Sequence, residues 1–416
     1  MNILKGLVFA PLIALAPSAL SEGVPTSVVP TTYTSAETIT MDLTINAIEI
    51  SKANHNTISS ARYFEQAINA AAGMQPPHPG LATIGDQYLS FLRETPESSC
   101  ECGHRIEETI ITLTDGLEQA GADPYEAFSA YYRGAQALLR HSHDLPNGYD
   151  HNRLADIALD MSSDLFPEGS IQRVEAQLGM ASVLSESSLK RKKAKSRALA
   201  ENALEALDEN FPSNEQTTKR QLAHHLMGMY YLSENRLSRA EGSFSGLLEV
   251  EGSSKQDNRY VLAAHANLVN IYSRRGETEL ATEHCIAISE RVPFSETEEQ
   301  YPIYRPARIY PQRLLREQVE GSVVVEFTID ATGQTSELNI IESELHIGSS
   351  SYENTRFTRL IEEASLEEIS EYRYAPMVVN GVPTAVEAVR TRVVYSLAKS
   401  TGRSADRSST YTRIRN

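Results

Sequence analysis

Three side chains with soft or borderline donor atoms fall within five residues of one another: Cys100, Cys102 and His104, in the run Cys-Glu-Cys-Gly-His. Two thiolates and an imidazole at that spacing suit a copper or zinc ion. A complete site needs a fourth ligand, and none lies nearby. The same thiols also fit a disulfide in an oxidising compartment, closed on each other or on another chain. The third cysteine, Cys285, takes an apolar slot in a helical pattern and reads as a buried thiol. His141-Ser-His143-Asp144 and His224-His225 are the other concentrations of titratable groups. No nucleophile or metal partner accompanies them, and a solvated loop and a helix face account for them. The chain contains no Walker loop, no Gly-x-Ser-x-Gly, no His-Glu-x-x-His and no Gly-x-Gly-x-x-Gly. The reading is therefore non-catalytic, with no cofactor and no metal.

The elements available to position such groups differ along the chain, and the C-terminal quarter has the clearest punctuation. Tyr310-Pro311 is followed by Glu320-Gly321 and an alternating run, Val323, Val325, Phe327 and Ile329, which predicts a strand with one buried face. Asp330-Ala331-Thr332-Gly333 suits a hairpin whose last turn residue needs positive φ. A second strand runs through Leu338, Ile340 and Ile341. From about Asn354 to Ile369, the residues Phe357, Leu360, Ile361, Ala364, Leu366 and Ile369 approximate one helical stripe. Tyr372-Arg373-Tyr374-Ala375-Pro376 ends that helix, because proline cannot continue it. Asn380-Gly381-Val382-Pro383 is a turn signal ahead of a last strand carrying Val386, Ala388, Val393 and Tyr395. These signals predict a three-stranded antiparallel sheet with a helix on one side and at least one open edge.

This ordered set resembles the C-terminal domain of the TonB family. The residues that carry the resemblance are Tyr310, Pro311, Glu320, Gly321, the Val-x-Val-x-Phe strand, Gly333, Arg373, Tyr374, Pro376, Asn380, Gly381 and Pro383. It covers about residues 304–397 of a domain placed at 300–399. The resemblance implies capture of an extended peptide, as from an outer-membrane transporter, by strand addition beside the last strand. Here that contact falls on Val386, Ala388, Arg390, Arg392 and Val394. Two departures stand out. TonB itself has a glutamine three residues before the Tyr-Pro, and this chain has Ala307 there. The family's energy transducers also carry a membrane anchor with a histidine and a long proline-rich spacer, and neither is visible.

The N-terminus reads as a secretory signal over residues 1–21: Lys5, an apolar run from Leu7 to Leu15, then Ala16-Pro17-Ser18-Ala19-Leu20-Ser21. The run is short for a spanning helix and is interrupted by Gly6, Pro11 and Pro17. An uncleaved inner-membrane anchor is the alternative. Residues 22–36, rich in Val, Pro, Thr and Ser, read as a linker. Residues 37–297 carry helical periods that repeat. Ala155, Leu159, Ser162 and Pro167 align with Ala200, Leu204, Leu207 and Pro212. Ala240, Phe244, Leu247 and Gly252 follow, then Ala281, Cys285, Ile288 and Pro293. Leu178-Gly179, Met227-Gly228 with Tyr231, and Leu268 with Tyr272 precede them as first-helix signatures. The pattern resembles tetratricopeptide repeats with lengthened loops. The fold class is thus multi-domain: an all-α tetratricopeptide-like region followed by a small α+β TonB C-terminal-like domain.

The net charge of −17 narrows the partners. Residues 301–416 hold 14 basic and 15 acidic side chains, so nearly all of the excess lies in the helical part. That excludes nucleic acid and anionic membrane surfaces as its natural partners. Two basic islands interrupt the pattern, Lys190–Arg197 and the tail 400–416, which reads as disordered. Together these readings point to a scaffold in the periplasm of a Gram-negative bacterium. It binds a peptide at its C-terminal domain and a second protein partner on the repeats. The alternative is a TonB-type energy transducer, inner-membrane-anchored on the periplasmic side. The open edge also admits homodimers by strand exchange.

Overall fold

A computed structural model of the chain describes residues 57–96, 101–141, 152–187, 189–250, 258–292, 300–307, 310–346 and 351–397. The signal segment 1–21, the linker 22–36, Cys100, His143, Asp144, Pro293 and the tail 400–416 lie outside these residues. The chain divides into two compact units, one running to Arg236 and the other from Leu237 onward.

The first unit is all helical: α1 (Thr57–Ala72), α2 (Leu81–Glu94), α3 (Gly103–Gln119), α4 (Pro124–Arg140), α5 (Arg153–Leu165), α6 (Ile171–Ser185), α7 (Lys190–Asn210) and α8 (Thr217–Ser233). Each helix packs on the next, and α4 on α6 and α6 on α8. The sequence fixes several ends. Asp123 caps α4 by accepting the Tyr125 N–H at 2.9 Å, with Pro124 in the first turn. The proline run Gln75–Pro79 separates α1 from α2. Arg220 of α8 donates to the Leu207 and Phe211 carbonyls at 2.7 and 3.0 Å, satisfying orphan groups at the end of α7. The basic island opens α7, where Lys192 and Lys195 both reach Asp156 of α5.

The second unit begins with α9 (Leu237–Glu249), α10 (Asn258–Arg275) and α11 (Thr278–Arg291). The alanines of the repeat register, Ala155, Ala200, Ala240 and Ala281, are all fully buried, on α5, α7, α9 and α11. The register has a polar echo. The acidic residue after the alanine accepts from a tyrosine on the helix that follows: Tyr231 to Glu201 and Tyr272 to Glu241, each at 3.0 Å. Arg275 adds a bond to Glu241 at 2.7 Å. The same position on α5 is Asp156, held by lysines instead of tyrosine.

The rest of the second unit is the sheet module: α12 (Gln312–Arg316), β1 (Glu320–Ile329), β2 (Thr335–His346), α13 (Ser351–Ser370), β3 (Met377–Val379), β4 (Val382–Thr384) and β5 (Val386–Tyr395). The three-stranded sheet is antiparallel in the order β2-β1-β5. Val323, Val325, Phe327 and Ile329 of β1 are buried with Phe357, Ile361 and Ile369 of α13 and with Val393 and Tyr395 of β5. At 25 cal/mol per Å² of apolar surface, each such side chain contributes about 2 kcal/mol. The module also contains a second, two-stranded sheet, β3–β4, that the strand signals did not resolve. Its turn is Asn380-Gly381 with φ of 53° and 80°, the left-handed pair that a type I′ hairpin requires.

Candidate functional site

The turn and signature residues of the module converge on one another. Asp330 Oδ1 accepts from the N–H groups of Thr332 and Gln334 at 2.8 and 3.0 Å and so shapes the β1–β2 turn. Gly333 in that turn has φ of 79°, and its carbonyl accepts the Tyr374 N–H at 2.8 Å. A Cβ on Gly333 would lie 2.2 Å from the Tyr374 carbonyl oxygen, so no other residue fits without displacing backbone. Arg373 forms bridges to both Gln334 and Tyr304. Tyr372 and Tyr374 are buried, and Tyr374 packs on Phe327 with ring centroids 5.7 Å apart. Pro376 follows immediately, before β3.

Tyr310 donates its hydroxyl to the Val319 carbonyl and stands edge-on to Tyr395 at 5.4 Å. Pro311 begins α12. Gly321 sits where a Cβ would meet the Glu344 carbonyl at 2.4 Å, which lets β2 and α13 close over the start of β1. Gly381 is in the β3–β4 turn and Pro383 within β4. The signature residues therefore build the frame of the sheet. Tyr310 is the one among them that packs on β5, and Asn380 and Gly381 are exposed in the β3–β4 turn.

Among the described residues β5 is an edge strand of the sheet, with β1 as its one strand neighbour. Its register with β1 is unbroken from Val389 to Tyr395. A bulge precedes that stretch, with Ala388 at φ of 55° and a register shift between Phe327 and Ile329. The bulge changes which residues share a face. Val386, Val389, Val393 and Tyr395 pack on the core, and Ala388 is exposed at the bulge. Arg390 and Arg392 lie on the face opposite α13. There Arg390 binds Glu326 at 2.7 Å, and Arg392 reaches across β1 to Ser322 at 2.9 Å and Glu342 at 3.2 Å. The five residues read from sequence are thus all on β5 but not on one face. The other edge, β2, is interrupted twice, with Glu337 at φ of 52°.

The remaining candidates are placed apart. Cys102 is fully buried and disulfide-bonded, whereas His104 is exposed and lies 2.9 Å from Arg105. Cys100, the third member of the trio, lies outside the described residues. Among the described residues no group of three or more His, Cys, Asp or Glu side chains could hold a metal ion. His141 departs from the solvated-loop expectation: it is fully buried, with Nε2 2.9 Å from the Leu92 carbonyl. His224 and His225 lie half-buried on α8. Cys285 is a free buried thiol, pushed up to about 12 by desolvation. Sequence reasoning missed the bulge at Ala388, the arginine–glutamate ladder, and Ser365, buried under Tyr395. It also missed the strand-like pairing of Ile303 and Tyr304 with Arg373, since nothing local encodes a partner seventy residues away.

A family model described as "Gram-negative bacterial TonB protein C-terminal" matches residues 306–397. Those residues are a TonB C-terminal domain. The TonB domain coincides with the sheet module and follows an extensive all-α region. As a TonB-family module it is a protein-interaction domain. No curated protein matches the chain. Among solved structures, the "Crystal structure of BtubC (BKLC) from P. vanneervenii" aligns over 67% of this chain and 99% of its own at 14% identity. With a TM-score of 0.40 that likeness carries no argument. Among the described residues no helix is long and apolar enough to cross a membrane.

Proposed function

We propose that this protein is a non-catalytic scaffold of the Gram-negative cell envelope. Its TonB domain captures an extended peptide by adding it as a fourth strand beside β5. The observation that carries this reading is the contrast between the two sheet edges. β5 keeps an unbroken register with β1 from Val389 onward, and from Val389 to Val393 no second strand pairs with it among the described residues, while β2 is twice interrupted. Bulges and inward kinks blunt an edge against pairing, and a flat run invites it. The helical region, with its tetratricopeptide-like register, holds a second protein partner and carries the acidic excess. The domain division proposed is signal 1–21, linker 22–36, repeats 37–297, TonB domain 300–399 and basic tail 400–416. Location in the periplasm agrees with the disulfide at Cys102, since disulfides persist in oxidising compartments.

The test uses the full chain. Peptides selected by it from a displayed random library are added back, and amide hydrogen exchange is followed. Slowed exchange confined to β5, within residues 389–393, is the expected result. Protection on β2 or on the helices instead sinks strand addition at β5. Fractionation with N-terminal sequencing separates this reading from energy transduction. A soluble chain beginning near Glu22 supports the scaffold; an intact chain in the inner membrane supports the transducer and overturns the signal reading.

A further inference from the structure

The helix-free face of the TonB domain carries one ladder of charge, and its outermost rung is on the proposed docking strand. Arg390 and Arg392 stand two residues apart on the same face of β5, each side chain about a quarter exposed at 26%. Arg390 spends only its Nε on Glu326, at 2.7 Å. Its two terminal nitrogens make no hydrogen bond among the described residues. Arg392 is pulled inward over β1: Nη1 donates to Ser322 at 2.9 Å and faces Glu344 at 3.7 Å, and Nη2 donates to Glu342 at 3.2 Å. Glu342 and Glu344 are 45% and 52% exposed, so this hold is weak, since exposed ion pairs contribute at most about 1 kcal/mol.

We propose that Arg390 and Arg392 make the β5 edge selective for extended peptides bearing two carboxylates two residues apart. The inference rests on strand addition at β5 and specifies its ligand. A strand laid beside β5 places alternate side chains on the face of the two arginines, directly opposite them at about 5 Å. Guanidinium groups bind carboxylates through paired N–H donors, and Arg390 has such a pair uncommitted. Arg392 must first leave Glu342 and Glu344, which therefore act as a competing intramolecular ligand. The same charge argument disfavours the chain's own tail at this edge, because Arg403, Arg407, Arg413 and Arg415 outnumber Asp406 there.

The experiment selects displayed random decapeptides on the full-length protein, on R390Q/R392Q and on E342Q/E344Q, each first checked for unchanged thermal unfolding. Wild type is expected to enrich Asp or Glu at positions i and i+2. R390Q/R392Q is expected to bind those peptides at least tenfold more weakly, and E342Q/E344Q severalfold more tightly. R390K/R392K, which keeps the charge but not the paired donors, should fall between wild type and R390Q/R392Q. Peptides that protect β5 from exchange but show no acidic pattern, or bind R390Q/R392Q equally well, overturn the selectivity and leave edge capture standing. Selection of no peptide, or none that protects β5, overturns both.

Discussion

The helical hairpins and the TonB domain are held by contacts of different multiplicity. In the hairpins the tying bond recurs: Tyr231 to Glu201 and Tyr272 to Glu241 are the same contact at successive positions of one register. In the TonB domain each key contact occurs once. Gly333 alone lets the Tyr374 backbone approach, and Asp330 alone organises the turn that holds Gly333 in place. A recurring tie is individually modest and replaceable, whereas a unique close approach has no substitute. The two regions should therefore respond very differently to single substitutions.

The sharpest contrast is expected at Gly333. Gly333→Val combines a left-handed φ with a backbone overlap and should cost more than about 4 kcal/mol. Denaturant unfolding of the full chain would then lose the transition of the second unit while that of the first persists. A loss under 1 kcal/mol would break the comparison.

An intermediate effect is expected from acid. His265 of α10 lies 2.9 Å from His284 of α11, Nδ1 to Nδ1, and His284 stacks on Tyr272. Burial, with His284 and Arg291 alongside, depresses His265 to about 4 from 6.5. Its folded value is below its unfolded one, so the unfolded chain takes up the extra proton. The contribution of His265 is complete above pH 6.5, is lost as pH falls from 6.5 to 4, and changes no further below. The decline should be roughly 2–3 kcal/mol and should shrink in His265→Asn, with a remainder from His284, which burial also depresses, read from unfolding midpoints across that range.

Smaller still is the recurring tie. Tyr231→Phe and Tyr272→Phe should each cost about 1 kcal/mol, and similar values would establish that one register governs both units. Thermal unfolding reads both; a difference above about 2 kcal/mol would dissolve the parallel. The smallest effect is a gain. Ala388→Gly relieves a left-handed alanine at the bulge and should stabilise the TonB domain by up to about 1 kcal/mol. A loss there would mean the bulge is held by contacts of Ala388 itself.

Much of this architecture was legible in the residues because the signals were local. The alternation from Val323 to Ile329, the Asp330–Gly333 turn, the stripe from Phe357 to Ile369 and the alanine registers each declare themselves within a few residues. The site was legible only to the level of the strand. In Val386–Val394 valines occur at both parities, so the sequence does not say where the face changes, and the bulge at Ala388 decides it. The ladder from Arg392 to Glu342 needs the register of three strands at once. His141 was misplaced as a loop residue because burial of an imidazole depends on the Leu92 carbonyl, supplied from forty-nine residues away.

Cys285 offers a way to time motion within the second unit. Its thiol is sealed on α11 against Val269 and Tyr304, beside the Gly333 turn of the TonB domain. A buried thiol held in its protonated form does not react with alkylating reagents until the surrounding contacts part. The rate of its alkylation under native conditions is therefore a clock for the separation of Tyr304 and the Gly333 turn from the α10–α11 hairpin. Any partner that stiffens or loosens that junction would change the clock's rate without touching the cysteine.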